Sequence, residues 1–399
     1  MPVEHRSSKH TSVYSILYTI SFAHFINDAL QSVIPAMYPL LKSNYSLTFT
    51  QIGFIALCYQ LTASLFQPLI GNLTDKRPWP FAVVIGALCT LVGIINLSWA
   101  PNYLWILLSV AIIGLGSSIF HPELSRIVSL TTANRKGYAQ SVFQIGGNSG
   151  SAIGPLLVAV FVIPYGQAHV AWFAVGASLG VFILYRVSKW YKNHISERKK
   201  QSKSLFNEKS SMPSSQIKRA IAVLIILMFS KYFYMASMTN YLTFFLIEKF
   251  SLSIHQSQLY LFAFLGAIAL GTYFGGPLGD KYGRKKVIWG SILGAAPFTL
   301  LLPYVGLLWV LILSILIGII IASAFSAILV YGQELLPHKV GMISGLFFGL
   351  AFGLGGLGAA LLGYLADQTS VIYIFQLCAF LPLLGIVTGL LPNLTTTKK

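Results

Sequence analysis

Long stretches without charged residues dominate this sequence and restrict the folds open to it. Residues 103–120, for example, carry no charge over eighteen consecutive positions. As a helix rising about 1.5 Å per residue, such a stretch nearly crosses the roughly 30 Å hydrocarbon core of a bilayer. With 55% hydrophobic and only 9% charged residues, the chain repeats this pattern throughout its length. The sequence therefore predicts a protein that crosses a membrane many times.

Apolar runs between loop signals predict twelve membrane-spanning helices. Of the 27 Lys and Arg residues, two lie inside predicted spans, two lie at one end of them, and 23 lie at the end that holds both termini. Because positive residues concentrate on the cytoplasmic side of membrane proteins, we expect both termini in the cytoplasm. The predicted spans are residues 13–41, 50–72, 80–100, 103–131, 137–163, 168–190, 219–248, 256–279, 287–305, 307–336, 341–366 and 370–392.

A basic, serine-rich stretch over residues 191–218 divides the spans six and six. It predicts a cytoplasmic linker between an N-terminal six-helix bundle, residues 1–190, and a C-terminal one, residues 219–399. The net charge of +17 does not indicate nucleic-acid binding, since the basic residues lie in loops rather than on one folded face. We expect contact with a lipid bilayer and with no nucleic acid.

An internal repeat supports this division into two bundles. Gly71 and Asp75 close span two, and Gly276 and Asp280 close span eight in the same G-x-x-x-D pattern, 205 residues later. Repeated halves are typical of secondary transporters. The expected fold is an all-α membrane protein with twelve transmembrane helices in two pseudo-symmetric six-helix bundles.

These features resemble the major facilitator superfamily, whose loop motif fits residues 276–286 closely. The first copy, residues 71–77, departs from that motif because Pro-Trp-Pro follows it. Span five contains Gly150-x-x-x-Gly154-Pro155, which resembles the antiporter motif of the superfamily's drug exporters. The resemblance implies the major facilitator fold and a transporter that works by alternating access.

The same resemblance implies that several residues serve conformational change. In a transporter whose halves rock against each other, the repeated loops would latch one state and the glycine-rich helix faces would slide. Substituting Asp75 or Asp280 is therefore expected to alter turnover more than substrate binding. The predicted conformational residues are Gly71, Asp75, Gly150, Gly154, Pro155, Gly276, Asp280 and Arg284.

Five longer blocks resemble the bacterial fosmidomycin-resistance exporters within that superfamily: residues 24–28, 116–126, 143–148, 229–235 and 324–331. This resemblance implies that the partners are protons and a small anionic drug, such as the phosphonate fosmidomycin. It also implies a monomer in the bacterial cytoplasmic (inner) membrane. The proton gradient would supply the energy, and no cofactor is expected.

Charges buried in the predicted spans offer a test that does not depend on these motifs. In the superfamily, spans one, four, seven and ten line a central cavity. Asp28 lies in span one, Glu123 and Arg126 lie in span four, and Lys231 lies in span seven. A charge at mid-membrane costs about 2.5–3.5 kcal/mol even on mild insertion scales, so it usually marks a functional site. We infer that these four residues surround a polar cavity.

One face of span one is polar, because His24, Asn27, Asp28 and Gln31 recur at i, i+3, i+4 and i+7. Asp28 is the first candidate for a proton site, since a membrane carboxylate can bind and release protons as a cavity opens to each side in turn. Asn27 is a candidate for substrate contact. The alternative for the amides is a hydrogen-bond network that only holds helices together.

Span four adds His121, Glu123 and Arg126 to the candidates. Glu123 and Arg126 stand at i and i+3 and are expected to pair, which lowers the cost of burying either. Glu123 is predicted to couple protons, with His24 and His121 as supports or relays. Arg126 is predicted to meet an anion, the alternatives being a structural ion pair or snorkelling toward the cytoplasm. Because neither a cysteine pair nor a second histidine cluster accompanies His121, no metal site is expected.

Lys231 in span seven requires an anion, which Asp28, Glu123 or a substrate would supply. With Arg126 it would give the cavity two fixed cations, which suit a phosphonate. Tyr234 follows on the same side of the helix and is a further substrate candidate. Other polar candidates for the cavity lining, for which packing is the alternative, are Gln60, Gln144 and Asn148.

Together these residues predict a proton-coupled antiporter that exports an anionic drug. One alternative is a uniporter or exchanger of an organic phosphate, in which Lys231 and Arg126 hold the substrate and the carboxylates balance them. Another is a membrane-embedded enzyme using His121 and Glu123, which the lack of a nucleophile motif or metal set in the sequence opposes. A channel is disfavoured because two related halves favour alternating access. The chain is therefore not expected to be an enzyme.

Overall fold

The computed structural model describes residues 5–77, 79–131, 136–198, 213–336 and 340–392, which form sixteen α-helices. The first half of the chain contains α1 (His5–Ala36), α2 (Tyr38–Asn44), α3 (Phe49–Leu65), α4 (Gln67–Lys76), α5 (Ala82–Ser98), α6 (Tyr103–Thr131), α7 (Lys136–Leu157) and α8 (Phe173–Arg198). The second half contains α9 (Ser214–Phe250), α10 (Ile254–Tyr282), α11 (Arg284–Ile292), α12 (Ala296–Leu301), α13 (Leu307–Ala322), α14 (Ala324–Leu335), α15 (Val340–Gln368) and α16 (Val371–Cys378).

Short segments of tighter or wider helix extend several of these elements. A π-helical segment, Val158–Val162, continues α7. The 3₁₀ segments are Gln167–Trp172 before α8, Leu293–Ala295 and Leu302–Tyr304 on either side of α12, and Leu381–Leu390 after α16. Helix also enters the predicted linker, residues 191–218, from both sides, because α8 continues to Arg198 and α9 begins at Ser214. Residues 199–212 lie outside the described part of the chain.

Within the described residues, ten helical stretches are long and apolar enough to cross a membrane. Three of them combine two helices each: α3 with α4, α11 with α12, and α13 with α14. α5 is an apolar helix of 17 residues, and α1 has 32 residues and carries the polar face of His24, Asn27, Asp28 and Gln31. With these two helices, the architecture agrees with the twelve spans predicted from the sequence.

The two halves begin their second spans with the same capping structure. The Thr48 hydroxyl accepts a hydrogen bond from the backbone N–H of Gln51 at the start of α3. The Ser253 hydroxyl accepts one from the backbone N–H of Gln256 at the start of α10. Both are capping boxes, which satisfy the unpaired N–H groups of a first helical turn. They are separated by 205 residues, the offset of the G-x-x-x-D repeat, so the duplication extends over the whole second span.

Glycines allow α7 to pack closely against α1 within the first half. A side chain at Gly150 would overlap the backbone of Phe25, and one at Gly154 would overlap Ser32. Small residues let two helices approach in this way. The motif predicted to slide between the halves therefore packs two helices of one half.

Buried apolar side chains of the two halves form one common cluster at one end of the bundle and a separate cluster for each half at the other. One cluster joins Met37 and Tyr38 of the first half to Tyr241 of the second. Toward the linker, the cluster around Phe143 contains residues of the first half alone, and the cluster around Phe347 contains residues of the second half alone. The halves are thus sealed together at the end where α1 and α9 finish, which we call the closed end.

A carboxylate of the second half caps a helix of the first half at the closed end. Asp367 of α15 accepts hydrogen bonds from the backbone N–H of Phe49 at 2.9 Å and from that of Thr50 at 2.7 Å. It also accepts one from the Thr50 hydroxyl. The unpaired N–H groups and the positive dipole at the start of α3 favour an anion there. Asp367 therefore helps to hold the two halves together.

Replacing Asp367 by Asn is expected to weaken the closed end. Hydrogen bonds to a charged acceptor are worth about 1.5–3 kcal/mol each, and Asn supplies only one neutral oxygen. We expect the ratio of molecules open to closed at this end to rise about tenfold or more. The native cysteines would be replaced, and spin labels would be attached to new cysteines at the exposed positions Asn44 and His255. In Asp367→Asn the distance between the two labels is expected to be longer. An unchanged distance distribution would contradict this role, and Asp367→Glu is the matched control.

Candidate functional site

A cavity of about 260 Å³ lies between the two halves. Its wall is formed by α1, α3, α6 and α7 of the first half and by α9, α10, α14 and α15 of the second, with a small contribution from α13. These include all four spans from which a central cavity was expected. The predicted site residues that line it are His24, Asp28, Gln60, His121, Gln144, Asn148 and Lys231.

His24 and Asp28, one turn apart on α1, face each other in this cavity. His24 Nε2 lies 3.2 Å from Asp28 Oδ2, and His24 Nδ1 lies 2.8 Å from the backbone carbonyl oxygen of Phe143. Because that carbonyl can only accept, Nδ1 carries a hydrogen, and in a neutral ring Nε2 is then an acceptor. Asn27 donates to the other carboxylate oxygen, Asp28 Oδ1, at 3.0 Å. The imidazole nitrogen and the carboxylate thus form a pair that one proton can bridge.

The position of α7 makes room for this pair. Gly147 lies so close that a side chain there would overlap both His24 Nε2 and Asp28 Oδ2. One turn earlier on α7, the Phe143 ring stacks on the His24 ring at a centroid distance of 4.0 Å. The sequence block that contains Phe143 and Gly147 therefore fixes the imidazole from two sides.

His121 of α6 reaches the same cavity, and the described residues leave both of its ring nitrogens without a partner. Its side chain is only 2% exposed, and no described residue forms a hydrogen bond with either nitrogen. The ring centroid lies 5.1 Å from that of His24, and the ring stacks on Phe348 and Phe352 of α15 at 5.9 and 5.2 Å. Since buried polar atoms nearly always have a partner, water or a ligand in the cavity is expected to supply one.

Lys231 of α9 brings a positive charge to the opposite wall. It is 5% exposed, and its Nζ lies 5.5 Å from the ring centroids of both Tyr232 and Phe325. Among the described residues no carboxylate forms an ion pair with it. Two of the predicted partners, Asp28 and Glu123, pair with other residues instead. A cation buried without an anion is costly, so this site favours an anionic ligand.

The predicted amides of the lining lie where the halves meet. Asn148 of α7 donates from Nδ2 to the Thr272 hydroxyl of α10 at 2.7 Å. The Gln60 side chain of α3 lies directly against Gly355 of α15, and Gln144 lines the wall one turn before Asn148. Asn148 and Gln60 of the first bundle thus contact the second bundle beside the cavity.

Glu123 and Arg126 form the predicted pair, but they do not line the cavity. Arg126 donates to the Glu123 carboxylate from Nε at 3.2 Å and from Nη2 at 2.5 Å. At about 100° per residue, Glu123 points roughly 200° around the helix from His121, so the two cannot face the same space. The Arg126 guanidinium lies over the Tyr191 ring of α8 at 5.5 Å. The structure places this ion pair inside the first half, away from the cavity wall.

Glu123→Gln is expected to destabilise the protein. The Glu123 side chain is fully buried and that of Arg126 is 14% exposed. Removing one partner of a buried pair costs about 3–5 kcal/mol, because the other charge loses its compensation. Thermal unfolding of the purified protein in detergent would show a lower midpoint for Glu123→Gln. A midpoint equal to that of the unmodified protein would contradict a stabilising pair, and the double variant Glu123→Gln/Arg126→Gln, with both charges removed, is the control.

Two other predicted substrate residues, Asn27 and Tyr234, also lie outside the cavity lining. Asn27 borders a second, much smaller cavity between α1, α5, α6 and α8 and contacts Asp28 from that side. Tyr234 is 2% exposed and belongs to the apolar cluster of the closed end. Helical spacing placed Asn27 and Tyr234 near Asp28 and Lys231 on their helices. It could not determine which side of each helix faces the cavity.

The residues predicted to serve conformational change lie in packing contacts where the structure describes them. Arg284 donates to the Glu334 carboxylate at 2.8 Å and joins α11 to α14 within the second half. Gly71 is buried in α4, and Pro155 lies inside α7. Three predicted positions have side chains or surroundings outside the described structure: Asp75, Gly276 and Asp280.

The donor atoms of His24, Asp28 and His121 lie within 4.8 Å of one another. Two imidazole nitrogens and a carboxylate oxygen are ligands that a divalent transition metal accepts, so these residues could hold one. No metal site was predicted from the sequence, in which His24 and His121 are almost a hundred positions apart. His24 Nε2 and Asp28 Oδ2 lie 3.2 Å apart, which is a hydrogen-bond distance. These two atoms can therefore share a proton instead of a metal ion.

Aromatic residues of the second half that were not among the predicted site residues complete the cavity. They are Tyr232, Phe325, Phe348 and Phe352. In a chain with 14% aromatic residues, an aromatic ring in a membrane span usually indicates packing. The signal that could have identified the first two is their position inside the blocks at residues 229–235 and 324–331.

A polar cavity between two bundles of membrane-spanning helices is the architecture of a transporter of small substrates. The sequence profile of the Major Facilitator Superfamily matches this chain over residues 20–359 and 233–399. The chain belongs to the major facilitator superfamily.

Its relatives within the superfamily include proteins that match almost the whole chain. The fosmidomycin resistance protein of Escherichia coli (strain K12) is 53% identical over 388 residues, which cover 97% of this chain and 95% of that protein. YfnC, an uncharacterized MFS-type transporter of Bacillus subtilis (strain 168), is 42% identical over 384 residues, covering 96% of this chain and 94% of that one.

A solved structure with the same fold is that of the transporter FucP in the outward conformation. It superimposes with a TM-score of 0.70 at 15% identity and covers 97% of this chain and 100% of that one. At this identity the likeness concerns the fold alone.

Proposed function

We propose that this protein is a proton-coupled antiporter that exports fosmidomycin or related anionic drugs from the cytoplasm by alternating access. The observation that carries the proposal is the composition of the cavity. One wall holds the His24–Asp28 pair, which one proton can bridge, and the opposite wall holds Lys231, which has no acidic partner among the described residues. The relative that is 53% identical is named for fosmidomycin resistance, and fosmidomycin is a phosphonate.

The second-half wall is suited to an anion. Lys231 is desolvated by its aromatic neighbours Tyr232 and Phe325. A charge interacts more strongly with its partner in such surroundings than in water, because the local dielectric constant is lower. A phosphonate oxygen that accepts from the Lys231 ammonium would supply the missing partner. The drug would then be held mainly by the second half.

The proton would be held by the first half. His24 and Asp28 are both on α1, so a proton bound between them adds a charge to one bundle only. A charge added to one bundle changes the energy of the inward-facing conformation relative to that of the outward-facing one. A ligand shifts an equilibrium between two states in this way. A proton taken up from outside would favour the return of the empty cavity to the cytoplasmic side.

Antiport also requires that proton and drug occupy the cavity in turn. Neutralising Asp28 would by itself make the cavity more attractive to an anion, so charge competition does not produce alternation. Alternation has to come from a drug affinity at Lys231 that is high in the inward-facing and low in the outward-facing conformation. With the termini in the cytoplasm, as the distribution of positive residues predicts, the closed end would face outward, and the cavity in this conformation would be sealed from outside.

Transport by the purified protein in proteoliposomes of defined pH gradient would test the proposal. We expect accumulation of fosmidomycin against its concentration gradient, together with drug-evoked proton movement in the opposite direction. Counterflow that is indifferent to pH would instead support an exchanger of organic phosphates and contradict antiport. Absence of any drug movement, relative to protein-free liposomes, would contradict the proposed substrate. Recovery of chemically altered drug would support the enzyme alternative.

A further inference from the structure

A continuous aromatic surface connects two polar groups of the cavity. The Lys231 Nζ lies 5.5 Å from the Phe325 ring centroid. The Phe325 ring meets the Phe348 ring edge to face at 5.1 Å, and the Phe348 ring stacks on His121 at 5.9 Å. All four residues line the cavity. An ammonium group and an imidazole thus stand at the two ends of a surface made by two phenyl rings.

The two ends require different partners. Lys231 has three N–H donors and no acidic partner among the described residues, so it favours an anion. The His121 nitrogens are buried and have no hydrogen-bond partner in the described part of the chain, and a neutral imidazole offers one donor and one acceptor. The wall between them is apolar and gains from contact with carbon chains.

The volume of the cavity limits the ligand to a small molecule. At about 260 Å³ it lies just below the roughly 300–1,000 Å³ typical of small-molecule pockets. Only a short chain fits between the two polar groups.

We propose that the cavity selects small substrates with two polar ends. An anionic group such as a phosphonate binds Lys231, a neutral hydrogen-bonding group binds His121, and a short apolar chain lies on Phe325 and Phe348. This inference rests on the proposed function for the anion site at Lys231. It adds substrate recognition to His121, which the sequence placed with the proton-coupling residues.

Two ligands of similar size would test the assignment. They are short alkylphosphonates that end either in a carboxamide or in the isosteric isopropyl group. Binding to the full-length protein in nanodiscs would be measured by titration calorimetry at a single pH without a proton gradient. We expect the carboxamide to bind about tenfold or more tightly, since the isopropyl group would leave the His121 nitrogens unpaired.

Variants of His121 attribute this preference to one residue. His121→Leu is expected to abolish the preference and to keep the affinity for the isopropyl ligand. His121→Gln retains a donor and an acceptor and is expected to keep part of the preference. His255→Leu, at an exposed position near the closed end, is the matched control and is expected to keep all of it.

The outcomes separate this inference from the proposed function. If the unmodified protein binds neither phosphonate, the anion site at Lys231 is wrong, and both proposals fail together. If it binds both phosphonates equally, or if the preference survives in a folded His121→Leu protein, only the two-ended selection is wrong. A preference that disappears in His121→Leu and returns in part in His121→Gln supports it.

Discussion

Lys231→Met is expected to reduce phosphonate binding by at least about thirtyfold. The ammonium group is 5% exposed and has no acidic partner in the described part of the chain, so a bound anion would be its principal electrostatic partner. Removing one member of a buried, hydrogen-bonded charge pair costs about 2–5 kcal/mol, of which the lower bound corresponds to roughly thirtyfold. Titration calorimetry of the purified protein with fosmidomycin would measure the change.

The stability of Lys231→Met separates lost binding from lost structure. A buried cation without an anion is unfavourable, so its replacement by an apolar side chain of similar length is expected to leave the unfolding midpoint unchanged or to raise it. Lys249→Met is the matched control on the same helix, because Lys249 donates to the backbone carbonyls of Pro303 and Val305 near the closed end. Wild-type affinity in Lys231→Met would contradict the anion site.

The cavity helices could be predicted from sequence because burying a charge in a membrane is costly. That cost drew attention to Asp28 and Lys231, and both line the cavity. The same argument selected Glu123 and Arg126, which pair inside the first half instead. Two charges that compensate each other lose much of their cost, so an ion pair at i and i+3 is a weaker sign of a cavity than a single charge.

Helix rotation and distant contacts could not be predicted from the sequence. His121 and Glu123 are two positions apart and face different sides of α6, and spacing alone does not say which of them faces the cavity. The hydrogen bonds of Asp367 to Phe49 and Thr50 join positions more than 300 apart. Such contacts depend on how the two halves assemble. The periodicity of a single sequence indicates the faces of one helix and not which helices of the two halves will meet.

Asp28→Asn is expected to abolish proton-driven accumulation of drug while the drug still binds. Asn is close to Asp in shape and can still accept from Asn27 Nδ2 and lie beside His24 Nε2, so the cavity should keep its form. It cannot exchange a proton at the carboxylate position. The expected loss is complete for transport against a gradient in proteoliposomes, whereas drug counterflow across the same membranes should persist, because counterflow needs no proton.

Glu248→Gln provides the control for this substitution. Glu248 accepts from the backbone N–H of Val371 at 3.3 Å near the closed end and does not line the cavity, so its replacement should leave coupling intact. If Asp28→Asn still accumulates drug against its gradient, proton coupling does not require this carboxylate. If it loses counterflow and coupling together, Asp28 acts on the drug rather than on the proton. Only loss of coupling with counterflow preserved assigns the proton to the His24–Asp28 pair.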